Sequence, residues 1–313
     1  MAFTPAHMAA ALPFYPIRRW LQFEALLIGT MMPDLHYYLN IPDSFSRQSH
    51  EWAGLLTYCL PWGLLVFALW YWLLKPAAFA LIEPFIKGFR ENPYEQRYEE
   101  LGTNLSSRER QITGYTPRYW SFAGLKKRTN HLLSSFWPTV VFGLILGAAT
   151  HLVWDGITHA DGFIAQRIDW LQYPLYFYPF KGTTISRLLQ YLSSMAGLLA
   201  LFWFALVKFK SWQRSNHGLK SSNQVLDRQA EDSVTKPVLA RKHSLLIVNS
   251  IAILSILWNM DTFLRWYPSL TSSPYTFAAK VLVSLLQDVA ILCIGYAVIY
   301  HLIYLSRYAF RKK

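Results

Sequence analysis

The stretch from Leu132 to His159, LLSSFWPTVVFGLILGAATHLVWDGITH, runs for more than twenty residues without a charge and closes on His151, Asp155 and His159. A run of that length is enough for a helix to cross the hydrocarbon of a bilayer. Steps of four residues place the two imidazoles and the carboxylate on one face of that helix. A membrane helix carries such a stripe only where it meets something charged, so the stripe predicts a metal or proton-transfer site at the end of a span.

The rest of the chain supports a membrane setting. Of 313 residues, 53% are hydrophobic and 17% aromatic, which is far from a soluble domain. Apolar runs at about 53–74, 132–154, 188–207 and 244–264 (charge-free to 260), with 281–305 carrying Asp288 and His301, predict five spans. Residues 20–32 are apolar but too short to span and contain Glu24. They predict a helix lying in, or re-entering, the membrane interface, unless preceding residues carry it across. The expected fold is an all-α polytopic transmembrane bundle. The N-terminus lacks the basic region, apolar core and small-residue cleavage site of a removable signal peptide. Cys59 and Cys293 both fall inside predicted spans and read as packing residues.

Loop charge orients the chain. Lys and Arg number 3 before residue 53, 10 in 75–131, 3 in 155–187, 8 in 208–243, 2 in 264–280 and 4 after 305. Rich and poor segments alternate, which predicts 75–131, 208–243 and the C-terminus in the cytoplasm and the N-terminus outside. The net charge of +12 is then a topology signal, and nucleic acid is not an expected partner. Membrane lipids are. The polar segment 208–243 reads as a flexible linker between residues 1–207, which hold the His and Asp residues, and a two-span segment 244–313.

On this topology His7, Asp34, His50, His151, Asp155 and His159 all come to the outer surface. His50 stands just before the first span and His151 where the second emerges. Imidazoles and carboxylates are ordinary ligands for zinc or manganese, and three protein ligands leave a position for a water acidified to a pKa near ~7. His7, Asp34, His50, His151 and Asp155 are the expected metal ligands. Asp34, Asp155 and His159 are the expected catalytic groups, as base, acid or outer ligand. A single interfacial His, such as His7 or His36 alone, reads more simply as a hydrogen-bonded residue, and Pro33-Asp34 reads equally as a turn with a helix cap. His131, His217, His243 and His301 are placed in or near cytoplasmic surfaces and excluded.

The order F-T-P-A-H (3–7), M-P-D (32–34), S-H-x-x-x-G (49–54), G-A-x-T-H-L-x-W-D-x-x-T-H (147–159) and L-L-Q-Y-L-S-S (188–194) resembles an uncharacterised family of multi-pass bacterial membrane proteins, the domain-of-unknown-function family numbered 4184. The likeness covers residues 1 to about 205 and implies the bacterial inner membrane. Through His7, Asp34, His50, His151 and Asp155 the chain is also more distantly similar to inner-membrane proteins regarded as metal-dependent hydrolases and to zinc-dependent phospholipase C-like proteins.

Two functions compete. One is a metal-dependent hydrolase acting on a lipid or lipid-linked phosphate or ester, with substrate arriving from the lipid phase beside the aromatic loop W170-L-Q-Y-P-L-Y-F-Y-P-F180. The other is a non-enzymatic scaffold or sensor whose His/Asp cluster staples the N-terminal segment to the second span. A transporter fits less well, since no repeat or paired broken helices are visible. Asp288, inside the last span, predicts a structural hydrogen bond or a pair with Lys280. Asp261 and Arg265 predict a surface ion pair.

Overall fold

The structure is a computed structural model that describes residues 3–18, 20–39, 44–85, 136–177, 180–222 and 239–311. The segment 88–130 of the first basic loop lies outside these residues. An N-terminal arm, Thr4–Ile17, is followed by α1 (Phe23–Gly29), α2 (Leu35–Leu39), α3 (Ser44–Ser49), α4 (Leu55–Phe85), α5 (Trp137–Thr158), α6 (Ile185–Ser222), α7 (Arg241–Trp266) and α8 (Pro274–Arg311). Five of these contain stretches long and apolar enough to cross a membrane: Leu55–Phe85, Trp137–Thr158, Ile185–Ser211, Arg241–Trp266 and Thr276–Ile303. The fold is an all-α polytopic bundle, and no strand forms among the described residues.

Helix α4 runs past the expected end near residue 74 despite Pro61 and Pro76. Each proline follows a wider π-helical stretch, Leu55–Cys59 and Leu69–Leu74. Proline lacks the N–H that would bond one turn back, and a local π turn is one way a membrane helix absorbs that loss. Helix α6 likewise continues to Ser222, so the first part of the expected linker is helical. Residues 208–222 contain no proline, and adding a residue to an existing helix avoids the cost of nucleation. Residues 223–238 lie outside the described set.

The N-terminal segment forms a hairpin. Its first arm is a 14-residue 3₁₀ helix with Pro5, Pro13 and Pro16. Isolated 3₁₀ helices rarely run this long, so packing must hold it. Ala6 and Ala9 lie against Gly197 of α6, and further along the arm Tyr15 packs edge-on to Phe204. The arm therefore descends along α6. After the turn, α1 ascends beside α5: Gln22 and Leu26 meet Gly143, and Leu26, Gly29 and Thr30 meet Gly147. A Cβ at Gly29 would strike the Leu144 carbonyl, and one at Gly147 the Leu26 carbonyl, so both glycines are needed for the backbones to touch. The hairpin thus begins and ends at one end of the bundle, and its turn lies near Lys75 and Lys208 at the other. Near its deep end Glu24 pairs with Lys75 at 2.6 Å and accepts from Trp70 Nε1 at 3.0 Å.

The core follows from this insertion. Ala25, Phe67, Val140 and Leu144 form one buried cluster between the hairpin, α4 and α5, and Met32, Leu55, Tyr58, Cys59, Ala148 and Leu152 form another nearer the hairpin's open end. Helices α7 and α8 lie antiparallel to each other, joined by Asn259–Asp288, Thr262–Ser284 and Phe263–Phe277 contacts. Helix α8 holds the rest through backbone carbonyls: Gln287 donates to Tyr38, Tyr296 to Ala77 and His301 to Leu73. His301 is thus buried and hydrogen-bonded to a backbone carbonyl, apart from the other polar residues. Asp288 accepts from Asn259 at 3.3 Å, whereas Lys280 lies over the Trp266 ring. Arg265 and Asp261 form the expected exposed pair at 2.6 Å.

Candidate metal centre

The open end of the hairpin meets the ends of α4 and α5, and there the polar residues gather. Asp34, His50, His151 and Asp155 each offer a ligand atom, and these atoms all lie within 4.8 Å of one another. Asp34 comes from the return arm, just before α2. His50 follows α3, and its Nδ1 lies 2.9 Å from the Ser49 hydroxyl. His151 and Asp155 face the cluster together because they are one helical turn apart on α5.

The ring orientation of His151 decides what the cluster can hold. Its Nδ1 lies 2.7 Å from the Thr30 carbonyl, which only accepts, so Nδ1 carries the proton. Nε2 then points into the cluster, 3.1 Å from Asp155 Oδ2 and 3.7 Å from Asp34 Oδ1. His50 Nε2 lies 3.4 Å from Asp34 Oδ1 and 3.7 Å from Asp155 Oδ2. Two carboxylates within 4.8 Å repel by roughly 3–4 kcal/mol at an effective dielectric of about 20. A cation between them reverses that sign. The donor set of two carboxylates and two imidazoles, with a carbonyl orienting one imidazole from behind, suits a divalent ion.

His7 and Asp34 are both held in states that suit this use. Asp34 is buried, which alone would raise its carboxyl. The neighbouring His151 and the hydrogen bond with His50 outweigh burial and hold it well below the usual carboxylate range. Thr4 Oγ1 donates to its other oxygen at 2.6 Å. His7 is also buried, and burial together with the adjacent His151 lowers its pKa to about 4, so it is neutral at pH 7. Its ring stacks on His151 with centroids 4.0 Å apart, and its Nε2 lies 3.4 Å from Asp155 Oδ1. His7 therefore borders the four-residue group on the Oδ1 side of Asp155.

His159 faces the same oxygen, with Nδ1 3.5 Å from Asp155 Oδ1. Its other nitrogen is fixed by residues the spacing argument missed. Arg187 donates to Gln190 Oε1 at 2.6 Å, which turns the Gln190 amide nitrogen toward His159 Nε2 at 2.8 Å. Arginine has no acceptor, so this orientation is forced, and Nε2 must accept. The Nδ1–H of His159 then points at Asp155. Burial also lowers the pKa of His159, in keeping with a neutral ring. Gln190 stood in the sequence as a lone amide within an apolar run and within the L-L-Q-Y-L-S-S motif, the signals that could have singled it out. His36 lies outside the group of four: its Nδ1 is 3.0 Å from the Pro33 carbonyl and its ring packs on Tyr37. Of the excluded histidines, His131 lies outside the described residues.

Near Asp155, His7 Nδ1 and Nε2, Asp155 Oδ1 and His159 Nδ1 are buried without a hydrogen-bond partner. Orphaned polar atoms at this density are uncommon in a folded interior and accord with a site built for an added ion.

Fold and cluster together define a polytopic helical membrane protein with a buried His/Asp group able to bind a metal. The chain belongs to the family described as Domain of unknown function (DUF4184), whose model matches residues 1–304. The match extends beyond the motifs at 1–205 to include α7 and nearly all of α8. No curated protein and no solved structure matches the chain, so the more distant likeness to hydrolases gains no support from them.

Proposed function

We propose that this protein is a metal-dependent hydrolase of the bacterial inner membrane, with its site at the outer face, acting on a lipid or lipid-linked phosphate or ester. The observation that carries this reading is the convergence of Asp34, His50, His151 and Asp155 within 4.8 Å at the end of a membrane helix. Loop charge supports the outer placement and a cytoplasmic C-terminus. In this reading those four residues hold zinc or manganese, with His7 beside them as a further donor. Such an ion supplies a Lewis acid and a water of lowered pKa.

The chain's own groups divide the remaining work. Thr4 and Thr30 lock Asp34 and His151 in place. Asp155 uses Oδ2 toward His151 and His50 and leaves Oδ1 toward His7 and His159, so Oδ1 is positioned to accept a proton as general base. His159, committed through Gln190 to a neutral ring with its proton toward Asp155, orients that base rather than serving as an acid. The His50 and Asp155 side chains are 28% and 14% exposed, which leaves the cluster an approach from outside. That opening favours catalysis over a purely structural metal.

The staple reading has its own support, because the cluster joins three separate segments of the chain. Turnover separates the two. Purified protein loaded with zinc or manganese should hydrolyse phospholipid or a lipid phosphomonoester in mixed micelles and lose that activity with a chelator. Metal-loaded protein inert toward phosphate and carboxylic esters of lipids would leave the structural staple as the correct account.

A further inference from the structure

Beside the cluster lies an open-sided cavity of about 310 Å³ lined by α6, α8, Tyr38 and the first residues of the N-terminal arm. Its polar end is formed by Thr4 and Tyr38. Thr4 donates to Asp34, so this end stands one residue away from the candidate metal ligands. The remaining wall is mostly apolar: Met195, Leu198, Ala279 and Leu282 line it, with Tyr191 and Ser194 as further hydroxyl-bearing residues. From Tyr191 to Leu198 the cavity follows α6 for about 10 Å away from the cluster, at about 1.5 Å per residue.

We infer that this cavity seats one acyl chain of a membrane phospholipid and so presents the lipid's head end to the cluster. The volume falls at the small end of ligand pockets, roughly 300–1,000 Å³, which suits a chain rather than a whole lipid. Its mouth is continuous with a lipid-facing surface: Met195, Leu198 and Leu282 are 64%, 39% and 42% exposed on helices that cross the membrane. Water is a poor occupant, since a buried water needs two to four polar partners and most of the lining is apolar. Left empty, the walls would lose dispersion contacts that a neighbouring hydrocarbon chain restores. The seat itself stands on the cavity; that the seated lipid is the substrate rests on the hydrolase reading above.

Phosphatidylglycerol carrying a photoreactive diazirine at the end of one acyl chain tests this on the full chain in detergent micelles. Saturable labelling of peptides containing 191–198 and 278–283 is expected. Filling the cavity with Ala279→Trp should reduce that labelling at least about tenfold, a loss of about 1.4 kcal/mol in binding. Zinc content should not change. Should Ala279→Trp fail to fold, Met195→Trp narrows the mouth from an already exposed position and is expected to act in the same direction. Labelling spread evenly over exposed faces such as Leu257 and Leu264 of α7, and insensitive to both variants, would mean boundary lipid only and overturn the inference. Chelated protein that still labels the cavity supports the seat even where the metal reading has failed, and metal-loaded protein with no cavity labelling overturns the seat alone.

Discussion

Two regions of this molecule bury polar side chains inside apolar helices, and they do so in opposite ways. Between α7 and α8, Asp288 meets Asn259 and the contact ends there. At the end of α5, four ligand atoms from three segments of the chain converge, with imidazole Nε2 atoms turned toward carboxylates. The first arrangement pairs a donor with an acceptor and holds two helices together. The second gathers two carboxylates and two imidazole nitrogens, which a positive charge among them, a protonated His151 or a bound cation, stabilises. A buried polar residue in a membrane helix therefore signals a site when its neighbours share its sign or its lone pairs, not merely because it is buried. Packing differs too: 44% of the apolar window of α5 is buried against 17% in α7, so α5 is the helix around which the hairpin and α4 assemble.

The comparison predicts its largest contrast for the two carboxylates. Asp155→Ala should weaken zinc or manganese binding by roughly 100-fold or more in a calorimetric titration, because it removes a ligand and leaves Asp34 alone. Asp288→Asn should leave that affinity unchanged, and an equal loss in both would erase the distinction drawn here. Next in size is the hairpin contact. Gly147→Leu drives a side chain into Leu26 and Thr30, an overpacking that costs about 1–3 kcal/mol and moves the carbonyl that orients His151. Lower Tm together with weaker metal binding is expected; a lower Tm with unchanged affinity would show that the hairpin does not position the site. Gln190→Leu should be milder, reducing metal affinity by about tenfold through release of His159 and Asp155. Asp261→Ala, at an exposed pair, should change neither Tm nor affinity measurably.

The sequence makes some of this legible and hides the rest for identifiable reasons. Apolar run length marks the five spans, since hydrocarbon thickness sets a length that no local detail can disguise. The four-residue step between His151 and Asp155 places both on one face of α5 without any knowledge of packing. The hairpin's path is hidden. A proline-rich 3₁₀ arm has no helical periodicity to read, and its course depends on Gly197 and Gly147, which lie far away in the chain. Gln190 and Arg187 are hidden for a similar reason: their work is to fix a tautomer, and that appears only when His159 is brought beside them. Asp288 could be recognised as buried, yet its partner is Asn259 rather than Lys280, because pairing between helices is set by packing and not by spacing within one helix.

The metal content of purified full-length protein tests the central claim most directly. After loading with zinc or manganese and removal of free ion, the wild-type chain should retain one ion per chain, His151→Ala should retain none, and Asp288→Asn should match wild type. A wild-type chain that binds neither ion, or a His151→Ala chain that keeps a full equivalent, would contradict the assignment of the cluster as a metal centre.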